Sequence, residues 1–288
     1  MINLVSHRAV TQPLSDFLVI GAPKAGTTSL SLYLAGHPSV HVAPVKEVRF
    51  FDQDDRWSRG IGWYRQQFAG SSEKRCRGEA TPGYLTSPVA AARMARVVPE
   101  ARLIVLLRQP AARAYSAYWE IVAWRGESRS FDEIVGSWHN LADCSADPYL
   151  WGSRYLPQLR AYCEYFSSEQ ILVLLTEDLR KDPSSVFTRV CDFLGVERYI
   201  PDGLGTLHNG RHRYRSRYLR LFMEGIWTYF PESLMRKLDS LNSVPLSYPP
   251  IPAGCEHAIM NLLAEENAEL ASRFGLDISA WNPWTRAV

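Results

Sequence analysis

The stretch FLVIGAPKAGTTSLSLYLAGHP, Phe17 to Pro38, decides the fold because it predicts a strand, a glycine-containing loop and a helix in immediate succession. The run from Asp16 to Ala22 is short and continuously apolar after its first residue, as expected of a strand buried on both faces of a parallel sheet. The segment Thr27 to Ala35 has apolar residues at helical spacing, and Gly36 ends the helix. Strand, loop and helix in this order open a βαβ unit.

The same alternation of buried strands and helices continues to Leu194. The further predicted elements are strands at Arg102 to Pro110 and Gln170 to Leu179, with helices at about Ala111 to Trp124, Ser153 to Phe166 and Ser184 to Leu194. Such an alternation is typical of α/β proteins. The sequence therefore predicts a P-loop-like, doubly wound parallel sheet flanked by helices.

Beyond Gly195 the pattern changes to a segment rich in Gly, Arg and His, with no apolar strand. Helical segments follow near Arg217 to Tyr229 and His257 to Phe274. No repeat or linker interrupts the chain. We therefore interpret residues 1–288 as one domain, with a core of about 16–195 and a C-terminal portion of about 196–288 formed by a basic loop and helices.

The composition is that of an ordinary globular protein, with 46% hydrophobic and 22% charged residues in 288. A formal net charge of +2 gives no global reason to expect nucleic acid or a membrane surface as partner. The 5 cysteines are scattered without CxxC spacing, which favours reduced thiols. No run approaches the roughly 18 apolar residues of a spanning helix, and no signal peptide is evident. We expect a cytoplasmic protein without a membrane span; the oligomeric state stays open.

The loop after the first strand almost matches the P-loop pattern GxxxxGK[ST]. Gly21, Gly26 and Thr28 have the right spacing, but Thr27 occupies the position of the lysine, and the lysine of the loop is Lys24. A loop that opens a helix directs backbone N–H groups and the positive end of the helix dipole at an anion. We therefore predict a phosphate or sulfate site; a glycine-rich turn with no ligand is the alternative. Its residues are Lys24, Ala25, Gly26, Thr27, Thr28 and Ser29.

A second cation is predicted at the end of the strand LIVLLRQP. Arg108 ends this strand, where a nucleotide-hydrolysing enzyme of this type would place an acidic Mg²⁺ ligand. Parallel strands bind ligands at their carboxyl ends. Lys24 and Arg108 therefore predict a metal-free site for two separated anionic groups on one nucleotide.

The stretches APKAGTTSL (22–30) and LIVLLRQPAARAYSAY (103–118) together resemble the PAPS-dependent sulfotransferase family, especially its heparan-sulfate-type and bacterial carbohydrate or natural-product members. PAPS is 3′-phosphoadenosine 5′-phosphosulfate. The resemblance extends to VKEVRFFD (45–52), GEATPGYL (78–85) and the segment 155–183. It implies a P-loop-like fold and a donor with two anionic groups.

The resemblance also implies roles for individual residues. The loop residues from Lys24 to Ser29 would bind the 5′-phosphosulfate, and Arg108 with Ser116 would hold the 3′-phosphate. Glu47 would be the general base that receives the acceptor proton. Lys46 would orient Glu47 or contact the sulfuryl oxygens. The implied reaction moves a sulfuryl group to a hydroxyl of a sugar or small metabolite, releases PAP (adenosine 3′,5′-bisphosphate) and requires no metal.

One departure from the family pattern concerns the acceptor. Ala80 stands where heparan-sulfate-type members often have lysine, which weakens the expectation of a heparan-type polysaccharide. Tyr84 fits either an acceptor pocket or the core, and Arg49 could meet an acidic acceptor. The tryptophans at 119, 124, 138 and 151 fit either the core or the walls of an acceptor cleft.

The basic loop after the core is also open to two interpretations. Arg211 and Arg213 are predicted to close the donor site, as the resemblance implies, although a solvated basic face is the usual explanation of such a run. His208 is an alternative base. Two other functions remain as alternatives: a P-loop nucleotide kinase or NTPase, and a catalytically silent nucleotide-binding protein.

Overall fold

A five-stranded parallel sheet forms the centre of the protein in the computed structural model. The structure describes residues 14–70, 73–139, 147–206, 212–214, 216, 219, 223, 232–245 and 248–283. The strands are β1 (Phe17–Gly21), β2 (Val40–Val42), β3 (Cys76–Ala80), β4 (Arg102–Leu107) and β5 (Ile171–Leu175). Their order in the sheet is β2-β3-β1-β4-β5, which confirms the predicted α/β class.

Helices connect the strands. They are α1 (Thr27–Ala35), α2 (Asp54–Trp57), α3 (Gly60–Gln66), α4 (Ala90–Val97), α5 (Pro110–Arg125), α6 (Phe131–Gly136), α7 (Pro148–Trp151), α8 (Tyr155–Cys163), α9 (Thr176–Lys181) and α10 (Pro183–Leu194). Short 3₁₀ turns lie at Pro82–Tyr84 and Ser168–Gln170.

The strand order reverses between β1 and β4. The chain leaves β1 through α1 toward β2 on one side of the sheet, whereas it leaves β4 toward β5 on the other side. A crevice forms at such a point outside the carboxyl ends of the strands, and it is where ligands of open α/β sheets bind. The loops after β1 and β4 therefore flank the expected binding position.

The apolar strand sequences explain the core. Phe17 to Ile20 in β1 and Leu103 to Leu107 in β4 are fully buried, because helices cover both faces of the sheet. A cluster of aromatic rings lies beside the sheet, with Phe50 stacked on Tyr64 at 4.7 Å and packed edge-on against Phe51. Burial of one such side chain stabilises the fold by roughly 1.5–3 kcal/mol.

The structure corrects the predicted strand list. β2 and β3 were not predicted as strands, because β2 has three residues and β3 reads CRGEA, with no apolar run. Gly78 makes β3 possible, since a Cβ at this position would lie 2.5 Å from the Phe17 ring. The predicted third strand is too long: the chain turns into α9 at Thr176, with Glu177 and Asp178 in the favourable first turn.

The C-terminal portion contains helices, as predicted, and a small ribbon that was not predicted. Its described elements are β6 (His212–Tyr214), α11 (Glu232–Asn242), β7 (Ser243–Pro245), α12 (Ala253–Leu262) and α13 (Ala264–Phe274). Strands β6 and β7 pair antiparallel. Helix α12 packs on α5, and α13 packs on α8. The helix predicted near 217–229 lies almost entirely outside the described residues.

Two chain-wide features complete the description. The four cysteines within the described residues, at 76, 163, 191 and 255, are free thiols. Where the chain is described, no helix combines the length and apolar character needed to cross a bilayer.

Candidate functional site

The loop after β1 forms an anion-binding helix start. Gly26 precedes α1 with φ 94°, a left-handed conformation that favours glycine, and its carbonyl accepts the N–H groups of Ser29 and Leu30. Within the described residues, no side chain caps this helix end and its first turn contains no acidic residue. The positive end of the helix dipole at this helix start therefore favours negative charge.

A threonine fixes this loop against the neighbouring strand. The Thr176 hydroxyl at the start of α9 lies 2.5 Å from the Ala25 carbonyl oxygen and 2.8 Å from that of Leu107. Of the predicted hydroxyl donors, the Thr27 and Ser29 side chains are buried, and Thr28 is the most exposed. The loop is thus positioned by β4 and α9.

Lys24 reaches from the loop to helix α5. It has φ 72°, and its Nζ donates to Glu120 Oε1 at 2.8 Å, with both side chains partly exposed. Nothing in the sequence pattern had indicated this partner, because Glu120 belongs to no recognised motif. The lysine that the sequence placed in the loop therefore lies beside a carboxylate that an anionic ligand would have to displace.

Arg108 joins the ends of β1 and β4. Its Nη1 donates to the Lys24 carbonyl at 3.3 Å, and its own carbonyl accepts the Tyr155 hydroxyl at 2.8 Å. It lines a cavity of about 440 Å³ together with Arg180 of α9 and Tyr248. Burial, followed by the nearby Arg180 guanidinium, lowers the pKa of Arg108. The Glu177 carboxylate also lines the cavity, so two guanidinium groups against one carboxylate leave a net positive charge that favours an anion there.

Ser116 lies near this cavity on α5. Ala112 and Tyr115 of the same helix line the cavity, and Ser116 follows one turn after Ala112 and is half-buried. The N-terminus of α5 differs from that of α1, because the Gln109 side chain accepts the Ala112 N–H and caps it. Helix α5 therefore begins with a proline and a capped N–H group, and it contributes side chains to the cavity.

Glu47 lies in the segment Lys46 to Phe50, which we call the Glu47 loop, between β2 and α2. Lys46 is exposed, Glu47 is half-buried, and Phe50 is buried. Arg56 of α2 donates to the Val48 carbonyl at 2.6 Å. Glu47 and Arg49 have φ values of 57° and 55°, and with Lys24 they are the non-glycine residues with positive φ in the described chain. Such strained conformations cluster at functional sites.

A buried carboxylate lies under this loop. Glu79 of β3 is 1% exposed and accepts hydrogen bonds from the hydroxyls of Tyr64, Thr81 and Tyr84. Burial raises its pKa to about 7, although the three hydroxyl groups oppose the shift. Tyr84 is fully buried, so of its two interpretations the structure supports the core tyrosine. The sequence placed Glu79 in the stretch GEATPGYL that carries the family resemblance but assigned it no role, because its burial and its hydroxyl partners appear only in the fold.

The segment after β3 connects the two candidate loops. Thr81 N–H donates to the Val19 carbonyl at 3.1 Å, and Leu85 N–H donates to that of Ile20 at 2.8 Å. A Cβ on Gly21 would lie 2.5 Å from the Leu85 Cβ, so glycine is required for this close approach. The segment therefore lies across the end of β1, between the loop of Lys24 and the Glu47 loop.

The remaining predicted residues divide into described and undescribed ones. Arg211 and His208 lie outside the described residues, and Arg213 is placed only as a β6 residue opposite Val244. Their predicted roles stay predictions. Three of the four tryptophans are packed, and Trp124 is 39% exposed. The packed ones are Trp119, stacked on Tyr248, Trp138, which donates to Asp147, and Trp151, which donates to the Thr86 carbonyl.

Comparison with known proteins identifies relatives of this site. The family model of the sulfotransferase domain, compared with this sequence, matches residues 14–203. Heparan sulfate glucosamine 3-O-sulfotransferase 3A1 of Mus musculus is 31% identical over 194 residues, covering 67% of this chain and 48% of that protein. Bifunctional heparan sulfate N-deacetylase/N-sulfotransferase 4 of Mus musculus is 28% identical, covering 97% of this chain and 32% of that protein. The chain thus spans half or less of these relatives.

Solved structures agree with the sequence relatives. A sulfotransferase from Alicyclobacillus acidocaldarius superposes with a TM-score of 0.68 at 26% identity, covering 93% of this chain and 99% of that one. The sulfotransferase domain of the Synechococcus PCC 7002 olefin synthase shares the fold, with a TM-score of 0.50 at 17% identity. The domain match includes the loop of Lys24, the Glu47 loop and Arg108, and it covers most of the chain. The protein therefore belongs to the sulfotransferase family.

Proposed function

We propose that the protein transfers a sulfuryl group from PAPS to a hydroxyl of a sugar or small-metabolite acceptor and releases PAP. The observation that carries this proposal is the contact of the Arg108 guanidinium with the Lys24 carbonyl at 3.3 Å. It joins two cationic residues at the ends of β1 and β4, on either side of the point where strand order reverses. A donor with anionic groups at both its 5′ and 3′ positions matches this pair of charges.

The donor would lie across this pair. The N–H groups of the first turn of α1, together with Lys24, would bind the 5′-phosphosulfate. Arg108 and Ser116 would hold the 3′-phosphate, and Arg180 is a second cation in the lining of the same cavity. A guanidinium binds phosphate in a bidentate geometry that suits a fixed 3′-phosphate. In this arrangement, side chains and N–H groups of this chain bind the anionic groups of the donor.

The reaction is an in-line displacement at sulfur. The acceptor oxygen forms a bond to sulfur while the bond from sulfur to the 5′-phosphate oxygen breaks. Glu47 takes the proton of the acceptor hydroxyl. Lys24 and the N-terminus of α1 stabilise the negative charge that develops on the leaving phosphate oxygen.

For the acceptor we propose a carbohydrate hydroxyl. The relatives named above are a glucosamine 3-O-sulfotransferase and an N-deacetylase/N-sulfotransferase of heparan sulfate. Exposed Lys46 lies beside Glu47, where it favours an anionic acceptor. The Arg49 guanidinium is already paired with Asp52 at 2.8 Å.

The proposal is tested by transfer of ³⁵S from labelled PAPS to a panel of glucosamine oligosaccharides, simple sugars and phenols. We expect labelled carbohydrate product from the wild-type protein. Glu47→Gln should lower kcat by about 10²–10⁴-fold, the usual contribution of a general base. The matched control is Glu100→Gln, an exposed glutamate just before β4 at the opposite edge of the sheet.

Two results would contradict the proposal. Absence of any PAPS turnover across the panel would reject the reaction, and full activity of Glu47→Gln would reject Glu47 as the base. Labelling of a phenol but of no sugar would reject a carbohydrate acceptor and would still support sulfuryl transfer from PAPS.

A further inference from the structure

The proposed chemistry assigns no role to the buried carboxyl of Glu79. Glu79 accepts three hydroxyl groups: Tyr64 at 3.0 Å and Tyr84 at 2.9 Å on Oε1, and Thr81 at 2.7 Å on Oε2. A buried carboxylate is costly to maintain unless hydrogen bonds compensate for the lost water. Because Glu79 lies beneath the site rather than in it, any effect of Glu79 on the reaction must pass through the hydroxyl groups that it binds.

Two of these hydroxyls also hold the Glu47 loop. The Phe50 N–H donates to the Tyr84 hydroxyl at 2.9 Å, and the Arg49 N–H donates to Thr81 Oγ1 at 3.3 Å. These amides follow Glu47 by two and three residues. The backbone of the loop is therefore attached to β3 and to the turn after it through side chains that all end on one carboxylate.

The carboxylate determines the direction of these hydrogen bonds. A hydroxyl has one hydrogen to donate and two lone pairs to accept with, whereas an ionised carboxylate only accepts. When Glu79 is ionised, Thr81 and Tyr84 must therefore give their hydrogens to it, which leaves their lone pairs for the loop amides. A neutral amide at position 79 would donate to one of these hydroxyls and weaken that arrangement.

The loop needs such external support because its conformation is strained. Glu47 and Arg49 both lie in the left-handed region, which costs non-glycine residues of order 1–3 kcal/mol each. Such conformations persist when the surrounding structure over-determines them. The Arg56 contact with the Val48 carbonyl and the burial of Phe50 provide part of this support. The hydroxyls on Glu79 fix the amides of Arg49 and Phe50.

We infer that Glu79 is a positioning residue for the general base, acting mainly through Tyr84 and its hydrogen bond to the Phe50 amide. This inference rests on the proposed role of Glu47. Glu79 touches neither donor nor acceptor. It holds the Glu47 loop in the conformation that directs the Glu47 carboxylate toward the reaction centre.

Two tyrosines on the same carboxylate oxygen provide a matched test. Tyr84→Phe removes the hydroxyl that accepts the Phe50 amide. Tyr64→Phe also removes a hydroxyl from Glu79 Oε1, but the partners of the Tyr64 hydroxyl among the described residues are Ser15 and Glu79. Both changes keep the aromatic ring and its packing. A purely structural role of the carboxylate cluster predicts similar effects from both.

Hydrogen exchange measured by mass spectrometry on the full chain reports the loop amides directly. We expect Tyr84→Phe to accelerate exchange of the Phe50 amide about tenfold, the effect of losing one hydrogen bond. The kcat for PAPS turnover should fall about tenfold or more, with an unchanged Kd for PAP. Tyr64→Phe should stay within about twofold of wild type in both. Glu79→Gln should resemble Tyr84→Phe in exchange and in kcat.

Equal exchange at Phe50 in the two tyrosine variants would overturn the inference, as would a loss of PAP affinity that accounts for the lower kcat. The exchange comparison needs neither donor nor acceptor. It therefore decides whether Glu79 and Tyr84 hold the Glu47 loop even if wild-type protein fails to turn over PAPS, a result that would count against the proposed function instead.

Discussion

Lys24 illustrates at the scale of one residue how this site differs from a nucleotide-hydrolysing loop. Its ammonium comes from a position with φ 72°, before the glycine at 26, and it is held by Glu120 of α5. An exposed ion pair of this kind contributes about 0–1 kcal/mol to stability. The ion pair affects the binding of an anion more than it affects stability. Glu120 is hydrogen-bonded to the lysine, and its charge repels the anion.

Glu120→Gln should therefore tighten the binding of PAP several-fold at low ionic strength, on the order of 1 kcal/mol for one nearby like charge. The gain should shrink at high salt, since exposed charges are screened. Calorimetric titration of PAP in low and high salt provides the measurement. An affinity equal to that of wild type at low salt would show that the ion pair does not compete with the ligand.

The Glu79 carboxyl predicts a pH dependence of stability. Burial raises its pKa from 4.5 to about 7, and the charge of Asp52 adds to the shift, whereas the hydroxyls of Thr81, Tyr84 and Tyr64 oppose it. The two tyrosines keep their hydrogens in this range, because burial raises their pKa well above the ordinary value. Between about pH 4.5 and 7 the folded state holds a proton that the unfolded state has lost.

The unfolding free energy contributed by this group should therefore fall as pH rises across that window and stay level above it. The change is on the order of 3 kcal/mol. Urea unfolding of wild type and Glu79→Gln at pH 5 and pH 8 isolates the effect, since other groups titrate in both proteins. The variant should lose less stability than wild type between the two pH values. Identical losses would contradict the raised pKa of Glu79 in the folded protein.

At the scale of elements, the junction of β1 with α1 carries the binding loop. Gly26→Ala should destabilise the protein by about 1 kcal/mol because of its positive φ and should also weaken PAP binding, since the N–H groups of α1 would move. Gly275→Ala is the matched control: Gly275 ends α13 at φ 61°, with open space around a Cβ. Thermal unfolding and PAP titration of both variants provide the comparison, and equal PAP affinities would contradict the assigned role of the loop.

Elements differ in how well the sequence predicts them. β1 and β4 were predicted because both faces of each are buried, which demands a continuous apolar run. β3 was not predicted, because its sequence does not follow a regular apolar pattern. Gly78 packs against Phe17, and Glu79 binds three hydroxyl groups. The predicted third strand ran past Leu175 into the polar residues TEDL, which begin α9, where the Thr176 hydroxyl binds the loop.

At the scale of the whole molecule, the parallel sheet gathers the site at one edge. The loops of Lys24, Glu47 and Arg108 follow β1, β2 and β4, so all three lie at the carboxyl ends of the strands. The sequence predicted these residues because each belongs to a local motif. It did not predict Arg180 or Glu120, because their contacts join segments distant in the chain, and it assigned no role to Glu79, because the burial of that carboxyl depends on the packed fold.

The central claim is that Lys24 and Arg108 bind a doubly phosphorylated adenosine without a metal. The most direct test is calorimetric titration of the full chain with PAP in the presence of EDTA, compared with ATP and Mg²⁺. We expect metal-free binding of PAP that weakens about 10–100-fold in Arg108→Ala, the loss of charged hydrogen bonds to phosphate. The exposed Arg96→Ala should bind as wild type does. Preference for ATP with Mg²⁺, as in a nucleotide kinase, or undiminished PAP binding by Arg108→Ala would contradict it.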